Sequence, residues 1–502
     1  MSQTHRQTDP GNAPGGGPDA AHVVVVGGGI AGLAAAYDLA KAGVRVTLLE
    51  ASDRLGGKLH ADEIAGVPVD LGAESLLARR PEAVELAREV GLADDLEPPA
   101  VLGARLWTRG RLRPMPSGGV MGVPADLGPL ASSGVLSPAG LARIPLDHVL
   151  PRTEIGEDVA VGRYVAARLG REVVDRLVDP LLGGVYAGNA YEISLRAAIP
   201  QLYSAARDGR SLIEAARDLQ HKAAAARLTG PVFNGIRGGV GRLPVAVADA
   251  CRAAGVTIET GAAVRELRRV GPSPEAPAGE ASSRAARWQL VLAGRTLTAD
   301  AVVLAAPAPA AARLLAEEAP AAAAELAAVE YAGMALVTMA FRRRDVHQLP
   351  VGSGFLVPPV DGRTIKASTF SSHKWGWLDR AGGDTFVLRT SVGRYGHEAD
   401  LAWDDTDLVR LSREDLGEAV GLRAAPVAAR VTRWDAGLPQ YAVGHVGRVT
   451  RIREQVGKLP GLAVCGAVYD GVGIPATVGR GRRAAREVLA TLVPGPGDGA
   501  GE

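Results

Sequence analysis

The feature that most constrains the fold is a strand–helix–strand pattern close to the start of the chain. His22–Gly29 is an apolar run that ends in glycines, which indicates a buried parallel strand. Ile30–Ala42 carries apolar residues at helical spacing, and Gly43 is placed to end that helix. Val44–Glu50 is a second apolar run. A βαβ unit of this kind predicts an α/β fold with a right-handed crossover.

The glycines of VVVVGGGIAG have the spacing of a dinucleotide-binding loop. Gly27, Gly29 and Gly32 fit the pattern GxGxxG between the strand and the helix. The first permits a tight turn, the second lets the backbone approach a pyrophosphate, and the third lets the helix pack closely on the strand. Glu50 follows about twenty residues on, where an acid binds ribose hydroxyls. The alternative is that these glycines serve packing only.

Length and composition leave room for two or three domains and exclude some classes of partner. The chain has 502 residues and a formal net charge of +1, which gives no electrostatic case for nucleic acid. Cys251 and Cys465 form neither a disulfide framework nor a metal-ligand spacing, which fits a reducing cytosol. No spanning helix is predicted, because no run of about 18 strongly apolar residues occurs. Peripheral membrane contact stays open.

The pattern along the chain predicts a nucleotide-binding domain that is interrupted and then resumed. The middle is largely helical at first and then alternates as a mixed sheet does, and Gly271–Ala285 reads as a solvated insert. The predicted bounds are 1–20 and 493–502 for disordered tails, 21–80, 230–310 and 440–492 for the nucleotide-binding domain, 81–229 for a mostly helical substrate- or membrane-side region, and 311–439 for a substrate-binding domain with a mixed sheet.

The residues just after Glu50 indicate which dinucleotide binds. The run EASDRLGGK places Arg54, a Gly56-Gly57 pair and Lys58 directly beyond the ribose acid, where an NAD domain needs no such element. The run resembles the second motif of flavoproteins of the amine oxidase and protoporphyrinogen oxidase superfamily, which bind FAD. The alternative is a surface turn with two convenient glycines.

Four further blocks resemble one branch of that superfamily. They are VDLGAESLLARRP (69–81), DPLLGGVYAGNAYEISLRAAIP (179–200), FSSHKW (370–375) and WDAGLPQYAVGH (434–445). By this resemblance the chain is identified as a member of the coproporphyrinogen III and protoporphyrinogen IX oxidase family, of the Gram-positive bacterial type. The resemblance covers nearly the whole chain.

The resemblance implies a fold and a cofactor. The fold is α/β (α+β overall), with a Rossmann-type FAD-binding domain interrupted by a mixed-sheet substrate domain and a helical domain. The glycine loop after Cys465 is expected to fold back onto the flavin, with the helix near Pro475 adding its positive end. For Val264 and Trp434 the alternative is a place in the core. The residues expected to bind FAD are Gly27, Gly28, Gly29, Ile30, Ala31, Gly32, Glu50, Ala51, Arg54, Gly57, Lys58, Gly72, Ala73, Glu74, Ser75, Val264, Trp434, Gly466, Val472, Gly473 and Ile474.

The resemblance also implies a reaction, in which six electrons and six hydrogens leave a porphyrinogen in three two-electron steps. Hydride passes to the flavin, and molecular oxygen reoxidises it to give hydrogen peroxide. Arg79 and Arg80 are the best candidates to bind the propionates and Lys374 is a weaker one. The alternative, two solvated arginines before a helix that starts at Pro81, applies more to Arg79 than to Arg80. No catalytic side chain and no metal site are predicted. Coproporphyrinogen III is favoured through the likeness to the Gram-positive branch, with protoporphyrinogen IX as the alternative.

More distant alternatives are a flavin amine oxidase, a carotenoid desaturase, and a relative that has lost flavin and only binds other proteins. The intact FAD motifs argue against the last of these, and Ile474-Pro475 and the low aromatic content of 4% argue against an amine oxidase. The expected partners are the porphyrinogen and oxygen, with hand-over of product to a downstream ferrochelatase. The expected location is the cytoplasm, at the membrane periphery or free of it.

Overall fold

A computed structural model describes residues 20–209, 211–225, 230–271, 287–346 and 349–492. Nearly all of the two predicted tails, and all but the first residue of the predicted insert at 271–285, lie outside the described residues.

The strands are β1 His22–Val26, β2 Arg45–Leu49, β3 Ala61–Ile64, β4 Val67–Asp70, β5 Leu76–Leu77, β6 Leu96–Glu97, β7 Ala104–Thr108, β8 Arg111–Pro114, β9 Gly119–Val120, β10 Val123–Pro124, β11 Phe233–Ile236, β12 Thr257–Glu259, β13 Glu266–Val270, β14 Arg287–Leu292, β15 Arg295–Ala299, β16 Ala301–Leu304, β17 Tyr331–Arg342, β18 Gly354–Leu356, β19 Ile365–Thr369, β20 Thr385–Val392, β21 Ala428–Pro439 and β22 Leu462–Val464.

The helices are α1 Ile30–Lys41, α2 Pro81–Glu89, α3 Leu127–Ser133, α4 Pro138–Arg143, α5 Val161–Leu169, α6 Arg171–Val173, α7 Asp179–Tyr186, α8 Leu195–Ala198, α9 Pro200–Arg207, α10 Leu212–Ala225, α11 Arg242–Ala253, α12 Ala308–Leu315, α13 Pro320–Ala327, α14 Ser371–Lys374, α15 Gly376–Gly382, α16 Asp405–Val420, α17 His445–Val456 and α18 Ile474–Leu492.

A five-stranded parallel sheet in the order β12-β2-β1-β16-β22 forms the first layer. Strand β1 lies at its centre, and its valines alternate between two cores, as the two faces of a strand require. Val23 and Val25 pack towards α1, α11 and α18, whereas Val24 and Val26 pack towards α12, α13 and α17. Burial on both faces explains the uninterrupted apolar run. The predicted βαβ unit and the α/β class are confirmed.

A seven-stranded mixed sheet in the order β21-β17-β20-β19-β18-β7-β8 forms the second layer. Its neighbours are antiparallel except for β18 and β7, which run parallel. Strands β7 and β8 come from the stretch 81–229, whose pattern had indicated mainly helix. They are short and lie between glycine-rich turns, so their period-2 signal is weak.

Helices α3 to α10 pack around a third core, in which Tyr164, Leu177, Leu182 and Leu202 are almost fully buried. No helix in the described part of the chain is long and apolar enough to cross a membrane.

Candidate active site

The first glycine loop has the geometry of a phosphate-binding turn. Gly27 has a φ of +112°, and a Cβ there would lie 2.7 Å from the carbonyl oxygen of Ala305. A Cβ on Gly32 would lie 1.9 Å from the carbonyl oxygen of Gly27. Both positions therefore require glycine, the first for its conformation and the second for helix–strand contact.

Open space lies in front of helix α1. Gly29 is the N-cap of the helix, and a Cβ there would meet no atom within 4 Å. No side chain caps the first N–H groups, which belong to Ile30, Ala31 and the residues after them, and the first turn carries no acid. Unpaired N–H groups at a helix start are donors for an anion, so a pyrophosphate fits here.

Glu50 is fixed directly beside this loop. Its Oε2 accepts a hydrogen bond of 2.6 Å from the backbone N–H of Gly28, and its Oε1 accepts bonds of 2.8 Å from the N–H and hydroxyl of Ser52. Its backbone oxygen accepts from the N–H of Ala262, which brings the end of β12 alongside. Val264 follows there, half-buried against the core, and Ala51 is exposed. The structure thus gathers the residues predicted to bind ribose and adenine.

The second motif packs against the first. The N–H of Gly56 donates to the carbonyl oxygen of Gly28 at 2.9 Å, and the guanidinium of Arg54 donates to the carbonyl oxygen of Gly57 at 2.7 Å. The same guanidinium lies 5.6 Å from the ring centre of Trp434, which belongs to the mixed sheet. Arg54 therefore links the two layers at the edge of the site.

The turn at residues 72–75 is held against Lys58 and Trp434. The N–H of Ala73 donates to the carbonyl oxygen of Lys58 at 3.2 Å, and the indole N–H of Trp434 donates to that of Leu71 at 3.1 Å. A Cβ on Gly72 would lie 2.1 Å from the Lys58 oxygen, so glycine is needed for this approach. Burial lowers the pKa of Lys58.

The C-terminal glycine loop reaches the same region from the other side. Gly466 follows β22 with a φ of +132° and has open space beside it, and Val472, Gly473 and Ile474 line a cavity where α18 begins. Helix α18 crosses α1 so closely that a Cβ on Gly481 would lie 2.1 Å from the carbonyl oxygen of Ala31. The two glycine loops are therefore positioned by one helix pair.

The stacked side chains of Tyr441 and His445 bind the backbone of this C-terminal loop. The hydroxyl of Tyr441 donates to the carbonyl oxygen of Ala467, and Nε2 of His445 lies 2.8 Å from that of Val468. The two rings stack with centres 4.0 Å apart. Burial lowers the pKa of His445 to about 4. The imidazole is neutral near pH 7, and Nε2 carries its proton because a carbonyl oxygen can only accept.

A cavity of about 510 Å³ lies between these loops, helix α7 and the mixed sheet. Its wall combines glycines and apolar side chains with a few charged groups, as in ligand cavities generally. The residues that line it include Lys58, Gly72, Ala73, Glu74, Ser75, Asp179, Phe233, Met334, Leu336, Leu356, Lys366, Lys374, Arg389, Arg394, Trp434, Val472, Gly473 and Ile474.

At the end of the cavity next to the Gly72 turn, Glu74 is buried between two cations. Lys374 Nζ lies 2.5 Å from Glu74 Oε1, and Arg389 Nε lies 3.2 Å from Glu74 Oε2. Burial on its own would raise the pKa of Glu74, but Arg389 and Lys374 hold it below its usual range. Arg389 also donates to the carbonyl oxygen of Gly72 at 2.8 Å. This carboxylate–dication group carries one net positive charge.

Three cations on the wall were not predicted from the sequence, namely Arg389, Lys366 and Arg394. They stand on or beside β19 and β20 and belong to no motif. The sequence feature that could have indicated them is a basic residue inside a predicted strand of the mixed sheet.

Arg79 and Arg80 lie elsewhere. Both are exposed and neither is part of the described cavity wall, and Arg80 pairs with Glu82 at 2.5 Å at the start of α2. Lys374, the weaker candidate, does line the cavity. No cluster of three or more His, Cys, Asp or Glu side chains in the described ranges could hold a metal ion.

Comparison with known proteins identifies the family. Residues 30–489 match the family described as flavin containing amine oxidoreductases. The chain belongs to this family. Among its relatives, the coproporphyrinogen III oxidase of Mycobacterium tuberculosis is 39% identical over 93% of this chain and 97% of its own length. The Bacillus subtilis protein of the same name is 32% identical over 94% of this chain and 98% of its own length.

Solved structures of this family superpose well. A protein from Exiguobacterium, provisionally described as a protoporphyrinogen oxidase, is 30% identical with a TM-score of 0.80, covering 94% of this chain and all of its own. Family membership makes this protein an oxidoreductase with FAD as its cofactor. The open helix start at Gly29, the fixed Glu50 and the two facing loops fit that cofactor.

Proposed function

We propose that this protein oxidises coproporphyrinogen III to coproporphyrin III in haem biosynthesis. Three molecules of oxygen accept the six electrons and six hydrogens and leave as three molecules of hydrogen peroxide. The observation that carries this proposal is the cavity, whose largely apolar wall bears the cations Lys58, Lys366, Lys374, Arg389 and Arg394 beside two flavin-binding loops. An apolar macrocycle with ionised propionates needs such a wall.

The names of the relatives support this substrate. The mycobacterial and Bacillus relatives are coproporphyrinogen III oxidases, whereas the Exiguobacterium structure points to protoporphyrinogen IX as the alternative. Amine oxidases of known structure are further away, and the cyclohexylamine oxidase of Brevibacterium oxydans is 18% identical.

The residues of the chain divide the work between cofactor and substrate. Bound FAD supplies the hydride acceptor and passes the electrons on to oxygen. The N–H groups after Gly29 bind its phosphates, and Glu50 binds its ribose. The start of α18 at Ile474 directs the positive end of a helix at the cavity and favours negative charge there.

The cavity wall positions the substrate and excludes water. Met334, Leu336 and Leu356 supply apolar surface. The cations of the wall other than Lys58, which is expected to bind FAD, bind propionates. Glu74 is a weak base in this setting, because the two cations beside it favour its ionised form. We therefore assign the chain the tasks of binding and orientation and leave the chemical step to the flavin.

The surroundings of the reaction complete the proposal. We place the protein in the cytoplasm, which its two buried free cysteines support, and we propose that a ferrochelatase receives the product. Peripheral membrane contact would involve exposed apolar side chains such as Leu102 and Val351, whose exposed fractions are 71% and 81%.

The test is porphyrin fluorescence in air, with coproporphyrinogen III and protoporphyrinogen IX offered in parallel to the yellow protein. We expect catalysed fluorescence well above autoxidation, and faster with coproporphyrinogen. A preference for protoporphyrinogen would replace the proposed substrate with the alternative. No turnover of either by a flavin-loaded protein would overturn the function.

A further inference from the structure

Basic side chains occupy both ends of the cavity wall along one pair of strands. Strands β19 and β20 are antiparallel, with Thr369 opposite Arg389 and Ile365 opposite Val392. Arg389 therefore lies at the end that contacts the Gly72 turn, whereas Lys366 and Arg394 lie towards the other end. Five residues from Arg389 to Arg394 span at most roughly 17 Å of extended chain. The cavity thus has a second basic end away from the flavin turn.

Lys366 is a buried cation without a partner. It lines the cavity, and its Nζ is buried and has no hydrogen-bond acceptor among the described residues. The side chain stands at an irregularity between β19 and β20, where the register shifts between Ile365 and Ala367. An unpaired ammonium in such surroundings is costly. A ligand that brings a negative charge to this place would remove that cost.

Arg394 fixes a second positive charge nearby. Its guanidinium donates to the carbonyl oxygens of Val357 at 3.2 Å and of Arg363 and Ile365 at 3.3 Å. These carbonyls orient the side chain but carry no negative charge. Among the carboxylates that oppose it, Asp179 of α7 has the strongest effect, and an oxygen of Asp179 accepts a 2.7 Å bond from the N–H of Ala190.

The two cations at this end are opposed unequally. Asp179, Asp400 and Asp415 all act on Arg394, whereas the charge that acts on Lys366 is that of Arg394, and no described carboxylate lies within 4 Å of either cation. At the flavin end, by contrast, Glu74 is in direct contact with both of its cations. An excess positive charge therefore remains at Lys366, inside the proposed substrate cavity.

We infer that Lys366 and Arg394 form a carboxylate subsite that binds a propionate of coproporphyrinogen III which protoporphyrinogen IX lacks. This inference rests on the proposed function. Protoporphyrinogen carries vinyl groups in place of two of the four propionates, and a vinyl group at this subsite leaves Lys366 buried and unpaired. A site built around a polar group rejects the analogue without it far more strongly than an apolar site rejects a small change of size. Lys366 is thus a specificity-determining residue.

The experiment compares Lys366→Met with the wild type and with Lys458→Met, which removes an exposed lysine outside the cavity. Dissociation constants of coproporphyrin III and protoporphyrin IX are measured on the oxidised, flavin-loaded protein by quenching of porphyrin fluorescence, and kcat/KM is measured for both porphyrinogens. We expect Lys366→Met to weaken coproporphyrin binding about tenfold or more and to change protoporphyrin binding by less than about twofold. The ratio of the two kcat/KM values should fall by a similar factor. Lys458→Met should leave both unchanged.

Lys366→Arg tests the role of charge, because it keeps the cation and should retain coproporphyrin binding within about threefold. If Lys366→Met does not retain flavin, Lys366→Gln replaces it with the same expectation. Equal weakening of both porphyrins, or no change in either, would overturn the subsite. A wild-type protein that does not oxidise coproporphyrinogen would instead overturn the proposed function, so the two failures are distinct.

Discussion

The two ends of the active site use different parts of the chain, backbone groups at one end and charged side chains at the other. At the nucleotide end, the loops at 27–32 and 466–474 offer backbone N–H groups and space left by absent side chains. At the far end of the cavity, Lys366 and Arg394 offer charge from side chains on a sheet. A site made of backbone N–H groups requires glycine wherever a Cβ would clash with a neighbouring atom. A site made of charged side chains requires instead that the strands carrying them are neighbours in the sheet. Substitutions should therefore affect the two ends in different ways.

Gly481→Ala should have the largest effect, because it forces apart the helix pair that positions both glycine loops. Its Cβ would lie 2.1 Å from the backbone oxygen of Ala31, which cannot move without shifting α1. We expect a loss of about 3 kcal/mol or more in the free energy of unfolding, together with loss of flavin. Chemical denaturation followed by circular dichroism measures the first, and absorbance of the purified protein the second.

The matched control is Gly479→Ala in the same helix. There a Cβ would lie 3.3 Å from atoms of the flexible Glu82 side chain, and alanine favours the helix. A protein with Gly481→Ala as stable as that with Gly479→Ala would show that the close α1–α18 contact is not needed.

Gly29→Val should separate cofactor binding from folding. A Cβ at Gly29 meets no protein atom within 4 Å, so the empty protein can accommodate the side chain, which instead fills the space of the pyrophosphate. We expect FAD affinity to fall by more than about tenfold, while the melting temperature of the apoprotein changes by less than about 3 °C. Flavin titration and thermal unfolding of the apoprotein measure these. A fully yellow variant would contradict the pyrophosphate assignment.

Ligand binding at the far end of the cavity, near Lys366, should depend on pH, whereas FAD binding by the backbone N–H groups of the glycine loops should not. Burial and the charge of Arg394 lower the pKa of Lys366 to about 7, so the free protein loses this charge as the pH rises through that value. Since a carboxylate binds the charged form, coproporphyrin affinity should fall as the pH increases from about 6 to about 8.5.

Arg394 is the charge that acts on Lys366, and Arg394 is in turn acted on by Asp179, Asp400 and Asp415. Burial raises the pKa of Asp179, so its ionisation would weaken carboxylate binding in the same direction. Coproporphyrin titrations of Lys366→Met across this range separate the two groups. If the fall in coproporphyrin affinity with rising pH disappears in Lys366→Met, the titrating group is Lys366. If the fall is unchanged in this variant, the titrating group is Asp179.

Arg80→Ala should have the smallest effect. The side chain is exposed, pairs with Glu82 and lies off the described cavity wall, so we expect KM for coproporphyrinogen to change by less than about twofold. Steady-state kinetics measure this. A tenfold increase in KM with an unchanged flavin spectrum would restore Arg80 as the propionate ligand that the sequence predicts.

The nucleotide end could be predicted from the sequence, because the residues that define it are close together in the chain. Gly27, Gly29 and Gly32 need only their mutual spacing, and a strand before them, to indicate a phosphate site. For the C-terminal loop around Gly466 and Gly473, the glycines alone indicate only a close approach of the backbone, and the contact with flavin is an expectation from the family resemblance. The predicted fold is confirmed, and the structure brings the two glycine loops together, while their contacts with FAD stay a prediction.

The charged residues of the cavity wall could not be predicted from the sequence, because they come together only through the pairing of strands. Arg389 touches Gly72 from more than three hundred positions away, and nothing in the spacing of Lys366 and Arg394 marks them as a pair. Arg80 illustrates the converse. It follows the flavin-side turn directly in sequence, but β5 and the start of α2 carry the chain to the surface. Closeness in sequence was a poor guide to closeness in space.

The packing of α18 on α1 has a consequence for biosynthesis of the protein. More than four hundred residues separate Gly481 from Ala31, so the ribosome completes the second helix between roughly 20 and 90 seconds after the first. Until then the apolar packing around α1 lacks the part that α18 supplies, and β16 lacks its neighbour β22. Only a chain translated through α18 can close both loops on FAD. Yellow colour therefore reports that translation has passed α18, and products truncated before it are left with exposed apolar surface for chaperones and proteases.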